Sequence, residues 1–287
     1  MFNRILVPLD GSLLSERAIE PALLLGRQAG SEVIFARVPI AEGLLPAVSD
    51  RSRQAAHSYL ESIRQANAQP DLTIRTLVAN GDAAGAILDT ASAEQADLIV
   101  MSTHGYSGIS RWVLGSVTEK VLRSAPCPVL AIRALRPIRR IMIALDGSPL
   151  AECAIAPGLE MAARLKGEVS FLRAVPQAPI DEPLEEHEHG LNRRLQQELI
   201  EEAESYLHAR SIQLAPTDMK IKTEVRSGPA ANNILEFVET YGTDLIVMAT
   251  HGRTGLPRWV YGSVTEKVLR GVDCSMLVIR PTATEFH

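Results

Sequence analysis

Glycine and serine stand side by side at two equivalent positions of this chain, each at the start of a predicted helix. Gly115-Ser116 lies within the segment Arg111–Arg123, and Gly262-Ser263 lies within Arg258–Arg270, which repeats the first segment with one substitution. A helix start exposes free backbone N–H groups and carries a partial positive charge, and a preceding glycine lets an anion approach the backbone. These residues therefore predict a phosphate-binding site that is present twice.

Helix building offers a second explanation for the same residues. Ser116 followed by Glu119 is a capping-box pattern, and Ser263 and Glu266 repeat it. Glu119 is also placed to pair with Arg123, four residues later on the helix. Capping alone would account for the two serines, so these residues leave both interpretations open.

A glycine-rich segment precedes each of these helix starts. It reads Gly105-Tyr-Ser-Gly108 in the first half and Gly252-Arg-Thr-Gly255 in the second half. Neither segment has the P-loop order Gly-x-x-x-x-Gly-Lys-Ser/Thr or the order Gly-x-Gly-x-x-Gly, so each is a weak signal by itself. Its recurrence at one fixed distance before Gly115 and Gly262 favours the phosphate interpretation.

The elements that must position these residues alternate between strand and helix. Continuous apolar runs predict parallel strands that are buried on both faces. In the first half, the predicted strands are Ile5–Leu9, Val33–Val38, Thr73–Val78, Leu98–Ser102 and Pro128–Ile132. The predicted helices are Leu13–Gln28, Asp50–Ala68, Ala83–Glu94 and Ser116–Ser124. We therefore expect an α/β fold in which each half forms an open five-stranded parallel sheet with helices on both faces.

The second half repeats this pattern after a short linker, so we predict two tandem domains, residues 1–136 and 137–287. The spacing between equivalent motifs is longer in the second half, which places an insertion at Pro176–Gly190. We expect this insertion to be a loop that leads into an extended helix, Leu191–Arg210. We also expect the last strands, Val129–Ile132 and Met276–Ile279, to pair within one chain as a pseudo-dimer.

Other residues at the predicted strand ends carry side chains that could do chemistry. Asp10 and Asp146 each open an Asp-Gly-Ser sequence, which is typical of a turn but would also bring a carboxylate to the ligand edge of the sheet. His104 and His251 follow the fourth strand without an evident partner, so no catalytic base is predicted. The run Glu185–Gly190 contains two histidines whose side chains would diverge on a helix, so no metal site is predicted.

Composition limits the classes of partner. The 287 residues are 46% hydrophobic and 22% charged, with a net charge of −5 and no long basic run. This balance argues against nucleic acid or an anionic membrane as the main partner. The N-terminus lacks a signal-peptide pattern, so we expect a cytoplasmic protein. The three cysteines form no Cys-x-x-Cys pair and are expected to be buried, unreactive thiols.

Taken together, the motifs after the fourth strands resemble the ATP-binding pattern of universal stress proteins, Gly-x2-Gly-x9-Gly-Ser/Thr. The first half reads Ser102-Thr-His-Gly105, nine residues, then Gly115-Ser116. The second half reads Ala249-Thr-His-Gly252, nine residues, then Gly262-Ser263. The chain resembles a tandem universal stress protein over essentially its whole length, although serine and alanine replace the first glycine. We expect those side chains to crowd a ligand without excluding it.

The resemblance implies a Rossmann-like, adenine nucleotide alpha hydrolase-like fold with ATP as ligand, with or without Mg²⁺. It implies roles in phosphate, nucleoside and adenine binding for Gly105, Gly115, Ser116, Val117, Asp10 and Val38. The equivalent residues of the second half are Gly252, Gly262, Ser263, Val264, Asp146 and Ala174. Because Ala174 is smaller than Val38, we expect the second adenine pocket to be the looser one.

These observations predict an ATP-binding stress-response protein that acts as a nucleotide-dependent switch or sensor and not as a dedicated enzyme. The expected partners are an adenine nucleotide, an unidentified protein and a second copy of the chain in a homodimer. Two alternatives remain. One is a slow ATPase or phosphotransferase, and the other is an interaction module of the same fold that has lost its nucleotide.

Overall fold

The computed structural model describes residues 1–27, 30–39, 46–103, 114–133, 136–177, 186–216, 219–250 and 262–280. The chain separates into two compact units. The first unit contains Met1–Arg136 together with Ser275–Arg280, and the second contains Pro137–Cys274. Each unit is an α/β fold built on parallel strands.

The first unit alternates strands with helices. Its strands are β1 (Arg4–Pro8), β2 (Glu32–Arg37), β3 (Thr73–Val78), β4 (Leu98–Ser102) and β5 (Val129–Ile132). A 3-10 turn at Ser15–Ala18 precedes α1 (Ile19–Gly26), α2 (Pro46–Ala66), α3 (Ala83–Ala93) and α4 (Ser116–Ser124). The strand order is β3-β2-β1-β4-β5, all parallel. The order reverses between β1 and β4, where ligands bind in open α/β sheets.

Burial explains why the strands read as continuous apolar runs. Ile5, Leu6 and Val7 of β1 are fully buried on both faces of the sheet, and every residue of β4 is buried. A strand covered by helices on both faces has no solvent side on which polar residues could alternate. The predicted bounds of β3, β4 and α4 are the observed ones.

The second unit repeats the arrangement. Its strands are β6 (Arg140–Leu145), β7 (Glu168–Val175), β8 (Ile221–Ser227) and β9 (Leu245–Ala249). Its helices are α5 (Pro149–Glu152), α6 (Ile155–Leu165), α7 (Glu186–Leu214), α8 (Ala230–Tyr241) and α9 (Ser263–Gly271). The strands are parallel, with β7 between β8 and β6 and with β9 on the other side of β6. The order therefore reverses between β6 and β9, the equivalent of the reversal in the first unit.

The last strand, β10 (Ser275–Ile279), groups with the first unit. It pairs antiparallel with β5, so that Leu277 lies opposite Leu130 and Val278 opposite Val129. This is the strand pairing expected from the sequence, and it makes the otherwise parallel sheet of the first unit a mixed one. β10 is thus the last strand of the second sequence repeat, but it belongs to the first compact unit.

The predicted insertion differs from the observed structure. The sequence predicts a loop over Pro176–Gly190 and a helix over Leu191–Arg210. In the structure the helix, α7, is longer at both ends: it begins at Glu186 and continues to Leu214. No proline follows Pro183 in this region, and Gly190 alone costs a helix only about 1 kcal/mol. A helix of 29 residues absorbs that cost. No helix in the described part of the chain is long and apolar enough to cross a membrane.

Candidate functional site

A cavity of about 310 Å³ lies at the carboxyl ends of β1, β2 and β4 in the first unit. Predicted site residues that line it are Asp10, Val38, Gly115, Ser116 and Val117, and Ser102, which replaces the first glycine of the motif, lines it as well. Its volume lies at the lower end of the range of about 300–1,000 Å³ that is typical of small-molecule sites. The cavity occupies the position where the strand order reverses, so the fold and the repeated motifs indicate the same place.

Gly115, and not Ser116, is the N-cap of α4. Gly115 is extended, with φ −61° and ψ 142°, and its carbonyl accepts the first helical hydrogen bond from Glu119 N at 2.9 Å. Its own N–H donates to Thr103 O at 3.0 Å. No side chain makes a cap hydrogen bond at this end. The capping-box prediction is therefore wrong for Ser116, because the cap position falls one residue earlier, whereas the predicted pair between Glu119 and Arg123 is present at 2.8 Å.

The N-terminus of α4 offers free hydrogen-bond donors to the cavity. The backbone N–H groups of Ser116, Val117 and Thr118 precede the first helical hydrogen bond, and they have no acceptor among the described residues. The Ser116 hydroxyl is exposed, lines the cavity and likewise has no partner within the described ranges. Converging free donors at the positive end of a helix are suited to an anion.

Thr118 fixes this helix start to the sheet, although the sequence analysis did not single it out. Its Oγ1 donates to Ser102 O at 3.1 Å, and Thr118 is buried. A Cβ on Gly115 would lie 3.2 Å from Thr103 O, which is a tight approach that glycine avoids. The sequence could have indicated this role, because Thr118 belongs to the Gly-Ser-Val-Thr-Glu sequence that is repeated in the second half.

Asp10 forms a turn and lines the cavity at the same time. Its Oδ1 accepts hydrogen bonds from Ser12 N at 2.9 Å and from Ser12 Oγ at 2.6 Å. Gly11 has φ +88°, and a Cβ there would lie 2.8 Å from Arg37 Nη2, so the turn requires glycine for both reasons. The turn interpretation is therefore confirmed, and it orients the Asp10 carboxylate at the cavity edge.

The second unit contains the equivalent site around a cavity of about 250 Å³. Predicted residues that line it are Asp146, Ala174, Gly262, Ser263 and Val264. The hydrogen bonds that support the first site recur here. Gly262 N donates to Thr250 O at 2.8 Å, and Thr265 Oγ1 donates to Ala249 O at 3.1 Å. Ser148 N donates to Asp146 Oδ1 at 2.9 Å.

The N-cap of α9 is Gly262, again without a side-chain cap hydrogen bond. The capping-box prediction is therefore also wrong for Ser263.

The prediction of a looser second pocket is wrong. The second cavity is smaller, about 250 Å³ against about 310 Å³. Ala174 does replace Val38, but Leu172 lines the second cavity where the first has Ala36, and this exchange acts in the opposite direction because leucine is larger than alanine. Ser102 and Ala249, which replace the first glycine of the pattern, line their cavities without closing them.

Several predicted residues lie outside the described residues. These are Gly105, Gly252, His104 and His251. Within the described ranges, no three His, Cys, Asp or Glu side chains come together as metal ligands.

Burial raises the pKa of the Cys127 thiol to about 12, so this cysteine is protonated and unreactive near neutral pH.

Comparison with known proteins places the chain in a family. The family model described as the universal stress protein family matches it twice, over residues 1–133 and 137–280. Universal stress protein MJ0531 of Methanocaldococcus jannaschii is 31% identical over 142 residues, 46% of this chain and 83% of that protein. The universal stress protein E homolog of Haemophilus influenzae is 25% identical over 82% of this chain and 77% of its own length.

Solved structures agree on the fold. A universal stress protein from Archaeoglobus fulgidus has a TM-score of 0.72 at 20% identity, covering 98% of this chain and 99% of its own. A functionally unknown protein of Pseudomonas aeruginosa, PA1789, has a TM-score of 0.71 at 20% identity, covering 98% of this chain and 93% of its own. With two family matches that together span nearly all of its residues, the chain belongs to the universal stress protein family.

Proposed function

We propose that this chain binds adenine nucleotides, with the phosphates held at the N-termini of α4 and α9. The observation that carries the proposal is the set of free donors at Ser116, Val117 and Thr118, which recurs at the N-terminus of α9. Backbone amides that point into a cavity from a helix start stabilise negative charge without a dedicated cation. We call each set a phosphate cradle: residues 115–118 in the first unit and 262–265 in the second.

The shape of the first cavity suits a nucleotide better than an isolated anion. The lining includes the phosphate cradle at the start of α4, Asp10 after β1, and the apolar side chains of Ala36 in β2 and Val38 just after it. The phosphates, the sugar and the base of a nucleotide need anion-binding, hydrogen-bonding and apolar surfaces, and this lining offers all three. The Asp10 carboxylate, oriented by Ser12, is suited to accept hydrogen bonds from ribose hydroxyls.

The proposed role of the ligand is that of a switch. The segment between β4 and α4 has both of its ends at the cavity, since Ser102 and Gly115 line it. A ligand in the phosphate cradle therefore lies beside both the end of β4 and the start of α4, and a partner protein would distinguish the nucleotide-bound chain from the free chain at this edge of the sheet. Such a switch needs only a difference in nucleotide affinity between the partner-bound and the free chain.

Isothermal titration of the full chain with ATP, ADP, AMP and cyclic AMP tests the proposal. We expect saturable binding that weakens by at least about 10-fold in Ser116→Ala, because that variant loses one hydrogen bond to a charged group. Ser92→Ala is the matched control, because Ser92 is exposed on α3 and donates to Leu88 O at 3.0 Å, away from the cavity. Absence of binding of all four nucleotides by the wild-type chain would refute the proposal. Phosphate release measured in the same ATP samples would instead support the ATPase alternative.

A further inference from the structure

The two cavities differ at the end that is far from the phosphate cradle. In the first unit the cavity wall there includes Ala36, Ala86 and Thr90. The equivalent residues of the second unit, from the spacing of the two repeats, are Leu172, Asn233 and Phe237, and of these only Leu172 lines the second cavity. We call the extra space in the first unit the inner lobe, lined by Ala36, Ala86 and Thr90.

The inner lobe extends between α3 and β2. Ala83, Ala86, Ile87 and Thr90 line the cavity and share one face of α3, with spacings of three and four residues. Since α3 follows β3 and begins at the carboxyl ends of the strands, Thr90 lies about 10 Å further inside the unit than Ala83 at a helical rise of about 1.5 Å per residue. Thr90 therefore marks the inner end of the α3 face that lines the cavity.

The Thr90 hydroxyl is available to the ring of a bound ligand. Thr90 is only 7% exposed, it lines the cavity, and its hydroxyl has no hydrogen-bond partner among the residues that the structure describes. This hydroxyl faces the open cavity and is not among the side-chain atoms that are sealed from solvent without a partner, so a polar ring atom that pairs with it replaces water and gains the net value of one hydrogen bond. The other inner-lobe residues are alanines, which leave room for an aromatic ring and offer it an apolar surface.

The second unit lacks both the space and the hydroxyl. Leu172 and Phe237 are 1% and 3% exposed, and they replace alanine and threonine with larger apolar side chains. Asn233 replaces Ala86, and its amide already donates to Ser227 O at 3.2 Å. The phosphate cradle is therefore present in both units, whereas the inner lobe belongs to the first unit.

We propose that only the first unit buries the base of the nucleotide, and that the Thr90 hydroxyl selects a base with a hydrogen-bonding edge. The second unit then holds phosphates without burying a base and binds the same nucleotide much more weakly. This inference rests on the proposed function. It adds that each chain has one high-affinity nucleotide site. It also assigns the specificity for the base to Thr90 and Ala36.

Titration of the full chain with ATP and with inorganic triphosphate tests the inference. We expect one tight ATP site in the wild type. Ala36→Leu copies the second unit and fills the inner lobe, so the tight site should weaken by at least 30-fold. Thr90→Val keeps the shape but removes the hydroxyl, so ATP should bind about 3- to 10-fold more weakly, the net value of one neutral hydrogen bond, while triphosphate binds unchanged. Cooperative thermal unfolding of each variant verifies that it is folded.

The reverse exchange is the matched control. Leu172→Ala with Phe237→Thr opens a lobe in the second unit, and a second tight ATP site should result. Two equal ATP sites in the wild type, or a tight site that survives Ala36→Leu, would overturn the inner-lobe inference and leave the proposed function intact. A wild-type chain that binds no nucleotide would instead overturn the proposed function on which the inference depends.

Discussion

The two units build the same phosphate cradle but different inner ends of the cavity. The cradle depends on backbone N–H groups, on a glycine N-cap and on a buried threonine, and all three recur at Gly115 and Thr118 and at Gly262 and Thr265. The inner end depends on side-chain size and has changed from Ala36 to Leu172. Duplication has therefore preserved the part of the site made by backbone geometry, while the part made by side chains has diverged.

A second shared feature lies on the other side of the sheet. Arg37 stacks 4.5 Å from the ring centroid of Tyr59, whose hydroxyl donates to Glu16 Oε1 at 2.9 Å. In the second unit, Arg173 lies 4.9 Å from the centroid of Tyr206, whose hydroxyl donates to Glu152 Oε1 at 2.9 Å. Because the guanidinium of this arginine also abuts Gly11 or Gly147, the network supports the turn that orients the aspartate in each unit.

The largest effect is expected when a negative charge is placed in one cradle at a time. Ser116→Glu should weaken the tight ATP site by about 100-fold, because the carboxylate repels phosphate and competes for the free N–H groups. Glutamate in the first turn suits the helix dipole, so the fold should be retained. Ser263→Glu should leave the tight site unchanged. Equal losses of ATP affinity in both variants, measured by titration calorimetry, would contradict the proposed difference between the units.

A smaller, symmetrical effect is expected for the threonines that fix the cradles. Thr118→Val and Thr265→Val each remove a buried hydroxyl donor, which Thr118 directs to Ser102 O and Thr265 shares between Ala249 O and Thr250 O, and each should lower the free energy of unfolding by about 1–2 kcal/mol. Thr73→Val, at an exposed position of β3, is the control and should change it by less than about 0.5 kcal/mol. Urea denaturation followed by circular dichroism measures all three. If Thr118→Val proved as neutral as the control, Thr118 would not fix the helix.

The smallest effect concerns pH. Burial and the hydrogen bond to Glu16 raise the pKa of Tyr59, and burial and Glu152 raise the pKa of Tyr206 in the same way. The unfolded tyrosines ionise first, so their contribution to stability is complete below about pH 10 and is lost as the pH rises above it. Stability should therefore fall less steeply above pH 10 in the Tyr59→Phe, Tyr206→Phe double variant. Denaturation midpoints that fall equally steeply in both proteins would contradict this.

The features that could be predicted from the sequence are those that depend on local patterns, namely strand bounds and the position of the cavity. The apolar run Leu98–Ser102 gave β4 its correct bounds, and the repeated Gly115-Ser116 located the cavity. The inner lobe could not be predicted, because it forms where a residue of α3, Thr90, faces a residue of β2, Ala36, and local sequence does not give the depth at which the two elements meet. The comparison of Val38 with Ala174 alone gave the wrong ranking of the two pockets, because it left out the exchange of Ala36 for Leu172 two residues earlier in the sequence.

A crystal structure of the full chain grown with excess ATP would test the central claim most directly. The account predicts phosphate oxygens within hydrogen-bonding distance of the backbone N–H groups of Ser116 and Val117, with the base in the inner lobe of the first unit beside Thr90. Phosphates bound away from both helix N-termini, with the cradles filled by water or side chains, would contradict it.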